Sequence, residues 1–260
     1  MKRLSVIVLS LVMAISAMAQ IRIATPDIEL VLKADVGGGV QIQYFGERLS
    51  DVDAANLGAS GVPNHNAYPA YGLWCASEAS LGVTHSDGNM STSLRVESVD
   101  RSDEPSAQVT RIRMKDTVYP FYVTVCYRAY KDVDMIETWT EIENLEKKPV
   151  VLTRFDSGYL PIRLGDVWIS HLHGTWANEG LLVQEPLERG MRVIKNKDGS
   201  RNSHTDHAEV MFSLDGKPQE NVGRVIGAAL CYSGNYELRI DTRDTDYHEF
   251  YAGINPDNSA

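Results

Sequence analysis

The chain has 260 residues, 43% of them hydrophobic, and can bury one large core or two smaller ones without covalent staples. Its 35 acidic and 25 basic side chains give a formal net charge of −10, and Lys115, Lys131, Lys147, Lys148, Lys195 and Lys197 are scattered among acids. That pattern excludes a nucleic-acid partner and favours a neutral or cationic one, while an odd, sparse set of cysteines (Cys75, Cys126, Cys231) excludes a disulfide framework.

Lys2 and Arg3 precede an apolar run from Leu4 to Ile15, which ends in Ala17-Met18-Ala19. This reads as an export signal over residues 1–19, with Gln20 leading the mature chain. The run is well short of the ~20 residues needed to cross a bilayer, and no later segment is long enough, so no membrane span is expected. The protein is expected to be periplasmic or extracellular, with residues 20–260 forming one domain.

Period-two alternation then recurs along the chain. Ile28, Leu30 and Leu32 alternate with Glu29, Val31 and Lys33; Val40, Ile42 and Tyr44 alternate with Gln41 and Gln43. Each reads as a strand with one buried face. Ser50 to Thr92 is a long segment rich in Gly, Ala, Ser and Asn, broken by Pro63 and Pro69, and reads as a functional or mobile loop. Alternation returns at Val123 to Tyr130 and again at Ile136 to Glu143. Asn144 to Pro149 is a polar turn before Val150 to Phe155, and the pair reads as a hairpin. Further strands follow at Val167–His171, Leu181–Gln184, Met191–Lys195, Ala208–Leu214, Val225–Tyr232, Glu237–Asp241 and Glu249–Ile254. Cys126 and Cys231 lie within apolar strand patterns and are expected as buried thiols. With roughly fifteen strand candidates and no capped helical period after the signal, the pattern predicts an all-β fold, a large antiparallel sandwich.

One segment carries chemistry more clearly than the rest: His171-Leu172-His173-Gly174-Thr175-Trp176-Ala177-Asn178-Glu179. An indole beside imidazoles, an amide and a carboxylate suits a pyranose, whose C–H face packs on the ring while its hydroxyls take the polar groups. A core tryptophan whose ring N–H meets a carbonyl explains the same residues equally well. His171-x-His173 and His204-x-x-His207 invite a zinc reading but lack the intervening Glu of a helical zinc-protease motif, and hydrogen-bonding histidines are preferred. Asp241, Asp244, Asp246 and Glu249 miss the spacing and central Gly of a calcium loop. No Gly-x-Ser-x-Gly elbow, phosphate-binding glycine loop or dinucleotide fingerprint occurs, so neither a metal nor a cofactor is expected.

Five motifs occur in a fixed order: Ala67-Tyr68-Pro69-Ala70-Tyr71-Gly72, the His171 to Glu179 segment, Gly199-Ser200-Arg201-Asn202-Ser203-His204, Leu230-Cys231-Tyr232-Ser233-Gly234-Asn235-Tyr236, and Gly253-Ile254-Asn255-Pro256. In that order and spacing the chain resembles the amino-terminal domain of family 36 α-galactosidases. The resemblance implies a large β-supersandwich, galactose-mutarotase-like, that precedes a catalytic (β/α)8 barrel. It implies retaining cleavage of terminal α-galactosides in oligosaccharides by two barrel aspartates. The barrel's Lys-Trp-Asp nucleophile motif occurs nowhere in this sequence, so no catalytic residue is expected in the chain and the barrel is a missing partner.

The resemblance also assigns residues. Gly174-Thr175-Trp176 matches the family's Gly-x-Trp, which makes Trp176 the leading candidate substrate contact. In the family an aspartate of this domain reaches into a neighbouring subunit of a homo-oligomer, and Asp51 and Asp53 are the candidates here. The sequence departs from the family beyond Asp51 and lacks its usual Asp-Phe-Arg after Gly72. Two other readings stand beside the enzyme-part reading: a free-standing carbohydrate-binding module, and an aldose-epimerase-like enzyme with His171, His173 or His204 as acid and a Glu as base.

Overall fold

The computed structural model describes residues 19–57, 66–72, 77–200 and 205–258. The fold is all-β. In chain order the strands are β1 (Ala19–Ala24), β2 (Ile28–Ala34), β3 (Val40–Glu47), β4 (Leu81–Thr84), β5 (Leu94–Asp103), β6 (Ala107–Asp116), β7 (Phe121–Tyr130) and β8 (Ile136–Asn144). They continue with β9 (Val151–Ile162), β10 (Trp168–Thr175), β11 (Asn178–Pro186), β12 (Gly190–Lys195), β13 (Asp206–Ser213), β14 (Val225–Ala229), β15 (Tyr236–Asp244) and β16 (Tyr247–Ile254). One short helix, α1 (Asp51–Ala55), follows β3.

The described residues form four sheets, ordered β1-β2-β3, β5-β6-β7-β8, β12-β15-β16-β9-β4 and β11-β10-β13-β14. Two cores lie between them. The first gathers Ile21, Ile23, Leu30, Leu32, Leu81, Ile112, Phe121 and Val123; the second gathers Ile169, Val210, Phe212, Leu238, Ile240 and Phe250. The twelve-residue β9 joins the two halves, because its first part pairs with β4 and its later part with β16. Alternation splits its side chains accordingly: Tyr159 packs on the first core and Leu160 and Ile162 on the second.

The joint between the cores is polar. Arg239 is 3% exposed and donates to Asp156 (2.5 Å) while lying 3.2 Å from Glu237, which also takes Arg154 at 3.2 Å. Burial pushes the Asp156 carboxyl up to about 6, against the pull of Arg239 and Arg154. Nearby, the fully buried Glu249 accepts from Tyr159 (2.7 Å) and Tyr247 (3.0 Å) and sits 3.2 Å from Arg243. Glu249 and Asp241 are thus engaged with Arg243 and the tyrosines.

The structure corrects four sequence expectations. The turn from Asn144 to Pro149 does not make a hairpin, since β8 pairs with β7 and β9 pairs with β16 and β4. The six-residue connector, residues 145–150, contains a proline and fixes no register, and the chain crosses to another sheet. Cys231 is exposed: β14 stops at Ala229 and leaves the thiol in the following turn. Cys126 is buried as expected, its thiol pushed up to about 12 by burial, and Cys75 lies outside the described residues. The Ser50 to Thr92 segment, read as loop, contains α1 and β4. On β2 both faces are buried, Glu29 and Val31 included, at 0% each.

Candidate functional site

β10 and β11 form a hairpin in which Thr175 faces Asn178, so Trp176 and Ala177 are its two turn residues. Trp176 is 80% exposed, which removes the reading of a core tryptophan. The turn that carries it is held by contacts a longer loop would lack. Ala177 sits at φ 62°, a left-handed conformation that is unfavourable for a side-chain-bearing residue, and its N–H donates to Glu179 Oε1 at 2.9 Å. Gly174 lets the strands close: a Cβ there would stand 2.5 Å from the Asn178 carbonyl oxygen and 2.6 Å from Glu179 Cα. Its N–H donates to the Thr205 carbonyl at 2.7 Å, which anchors the tip to the chain entering β13. The ladder shifts register on both sides of His173, a bulge that turns the tip out of the sheet plane.

Behind the tip, His171 and His173 continue the inward-facing row of Ile169, so they point into the gap between the sheets. The His171 ring is 8% exposed with Glu185 Oε1 at 3.7 Å from Nε2. Glu185 is itself engaged by Arg192. Burial, and then Arg192, push the His171 imidazole below its ordinary value. Asp206 faces His173 across the β10–β13 ladder. His207 pairs with Glu209 at 3.0 Å, and His204 lies outside the described residues. Among the described residues no group of three or more His, Cys, Asp and Glu is arranged to hold a metal ion.

Asp51 and Asp53 lie elsewhere, on α1 against the β1-β2-β3 sheet. Ser50 caps the helix: its hydroxyl accepts the Asp53 N–H (3.2 Å) and donates to Asp53 Oδ2 (2.6 Å). The Asp51 side chain is 99% exposed and accepts a hydrogen bond from Arg22 at 2.6 Å. Arg22 is fixed from below by the buried Glu29 (2.9 and 3.1 Å) and the Leu49 carbonyl (2.7 Å). The hydrogen bonds of Glu29 hold the guanidinium above its ordinary value. Among the described residues no hydrogen bond or ion pair links α1 to the Trp176 hairpin, so the candidate residues form two separate groups.

Three of the sequence motifs converge on structure rather than on a site. Asn196, fully buried after β12, donates to the carbonyls of Gly199 (2.6 Å) and Gly234 (2.9 Å). The Gly199 N–H donates to Asn235 Oδ1 (2.7 Å), and the buried Asn255 donates to the Asn196 carbonyl (3.2 Å). These asparagines latch the loops after β12, β14 and β16 together. The first four residues of the Ala67 to Gly72 motif likewise pack inward, with the Tyr68 hydroxyl donating to the Asp156 carbonyl at 3.1 Å, while Tyr71 is exposed.

Comparison with known proteins places this arrangement. A family model described as the glycosyl hydrolase family 36 N-terminal domain matches residues 38–260. An α-galactosidase of Lactobacillus acidophilus, Mel36A, is 25% identical over 156 residues, which is 60% of this chain and 21% of that protein. The crystal structure of the family 36 α-galactosidase AgaA from Geobacillus stearothermophilus superposes with a TM-score of 0.81 at 22% identity, over 92% of this chain and 37% of that one. A variant of the same enzyme, solved in complex with stachyose, superposes equally well, at 21% identity and over the same shares of each chain. The match thus spans about a fifth of the curated relative's length and under two fifths of the solved chains.

Proposed function

The chain belongs to the family of glycosyl hydrolase family 36 N-terminal domains, and on that premise we propose that it is the amino-terminal part of an exported, retaining α-galactosidase. Its substrates are oligosaccharides that end in an α-galactosyl unit, the class to which stachyose, bound by the structural relative, belongs. The bond-breaking carboxyl groups belong to a (β/α)8 barrel encoded outside these 260 residues. This domain shapes the sugar pocket and supports assembly, and residues 1–19 direct export.

The observation that carries the reading is Trp176: a large indole, 80% exposed, on a turn whose geometry is fixed by Gly174 and Glu179. Exposing so much apolar ring in water is unfavourable unless a partner covers it, and a preformed perch lowers the ordering penalty when one does. Asp51 on α1 is assigned to contact with a neighbouring subunit, a reading supported by its 99% exposed carboxylate. The test is direct. The purified 260-residue chain is expected to release no nitrophenol from a nitrophenyl α-galactoside; clear turnover by the chain alone would contradict the assignment of the chemistry to another domain.

A further inference from the structure

Asp215 to Arg224 connect β13 to β14 as a loop pinned at its neck. The Arg224 guanidinium donates to both oxygens of Asp215 at 2.6–3.1 Å, its backbone N–H donates to Asp215 Oδ2 at 2.8 Å, and the Leu214 N–H meets the Arg224 carbonyl at 2.9 Å. Gly216 (φ 88°) and Gly223 (φ 106°) supply left-handed bends just inside each end. A loop of this size with joined ends is an Ω-loop, a preorganised surface element of a kind that frequently carries function.

The loop stands over the outward face of the β11-β10-β13-β14 sheet. Ser170 alternates with the core residue Ile169 and therefore faces outward, yet it is only 2% exposed; Ser213 is 6% exposed. Between loop and sheet lies a cavity of about 650 Å³, inside the roughly 300–1,000 Å³ typical of small-molecule sites. Ser170, Gln184 and Ser213 bring hydroxyl and amide groups to it, and Met211 and Val225 bring apolar surface. Among the described residues the Ser170 hydroxyl has a single long bond, from Gln184 Nε2 at 3.4 Å, so both groups keep hydrogen-bonding capacity. Two basic residues, Lys217 and Arg224, and two acidic ones, Asp215 and Glu220, give the lining no net charge, and Arg224 is paired with Asp215. Trp168 lies one step along the same face, with the Lys217 ammonium 5.9 Å from its ring centroid.

We infer that this cavity is a second carbohydrate-binding pocket, separate from Trp176, that takes a neutral hexose unit of an oligosaccharide. A pyranose matches both parts of the lining: its hydroxyls donate to and accept from Ser170, Gln184 and Ser213, and its C–H face covers Met211 and Val225. The lining carries no net charge that would favour an anion or a cation over a neutral ligand. The inference does not rest on the role of Trp176, and the test separates the two.

The experiment is an amide-resolved NMR titration of the 260-residue chain with galactose and with raffinose up to about 100 mM, a range that covers millimolar Kd values. Shifts are expected at Ser170, Gln184 and the Asp215 to Val225 loop, and they should persist in Trp176→Ala. Met211→Trp, which fills the cavity from a half-exposed position, and Gln184→Leu should each weaken binding by at least about tenfold. Two variants of different kinds guard against one failing to fold. Absence of shifts, shifts confined to the Trp176 hairpin, or loop shifts that survive both cavity variants would each overturn the proposal.

Discussion

Replacing Gly174 by alanine adds one carbon where the hairpin has no room for it. The new Cβ would lie 2.5 Å from the Asn178 carbonyl oxygen, 2.6 Å from Glu179 Cα and 3.2 Å from the Asn178 carbonyl carbon. All three are backbone atoms, so no rotamer relieves the clash. Ordinary contact needs about 3.5–4.0 Å, and the ends of β10 and β11 must therefore part by roughly 1 Å. That movement strains the Gly174 N–H bond to Thr205 and the Glu179 contact that holds Ala177. Overpacking of this kind costs about 1–3 kcal/mol, offset by up to about 1 kcal/mol from the stiffer unfolded chain. Urea unfolding of Gly174→Ala is expected to show a midpoint lower by roughly 0.5–1 M, with the amide resonances of Thr175 to Asn178 displaced. A stability change within about 0.5 kcal/mol, with those resonances unmoved, would refute the argument that the perch is fixed by close backbone approach.

Arg239→Met leaves Asp156 and Glu237 buried without their shared cation and should destabilise the fold by about 3–5 kcal/mol in chemical denaturation; a loss below 1 kcal/mol would show that water reaches the joint. His171 is packed by Glu185, Arg192, Asp206 and His173, and its lowered pKa means that the unfolded chain binds the proton more readily. Its contribution is therefore complete above the ordinary histidine value of about 6.5 and is lost as pH falls below it, by at most about 1.4 kcal/mol per pH unit. Urea midpoints at pH 7.5 and 5.0 should fall more in the wild type than in His171→Asn, and parallel changes would contradict this. Asp51→Asn removes an exposed pair and should change stability by less than about 1 kcal/mol, while raising KM in the assembled enzyme if the neighbouring subunit uses the carboxylate. An unchanged KM, or a loss of stability above 2 kcal/mol, would assign Asp51 a purely local role.

Most strands were legible because alternation survives wherever one face meets a core, as at Val123 to Ala129. It fails where the ladder is irregular. The period of β5 breaks at the register shift between Val96 and Ser98, whereas β6 alternates regularly from Thr110 to Asp116 and could have been read from its sequence. β2 misled in the other direction, because Glu29 reads as solvent-facing but is buried by its pairing with Arg22. Sequence spacing could not separate the two paths open after Asn144, since the choice between a hairpin and a crossover is made by the distant β16. At the site, the indole was visible in the sequence while its support was not. The need for Gly174 arises from an approach to Asn178 across the hairpin, which the Gly-x-Trp spacing marks without explaining. The asparagine latch was seen only as separate motifs, because its hydrogen bonds join loops far apart in the chain.

The central claim is that this domain presents Trp176 to the sugar. Steady-state kinetics of Trp176→Ala on raffinose, made in the full-length protein, tests it most directly. Loss of a ring stack worth about 1–1.5 kcal/mol predicts a KM raised about tenfold with an unchanged unfolding midpoint. Wild-type KM and kcat in a correctly folded Trp176→Ala enzyme would contradict the account.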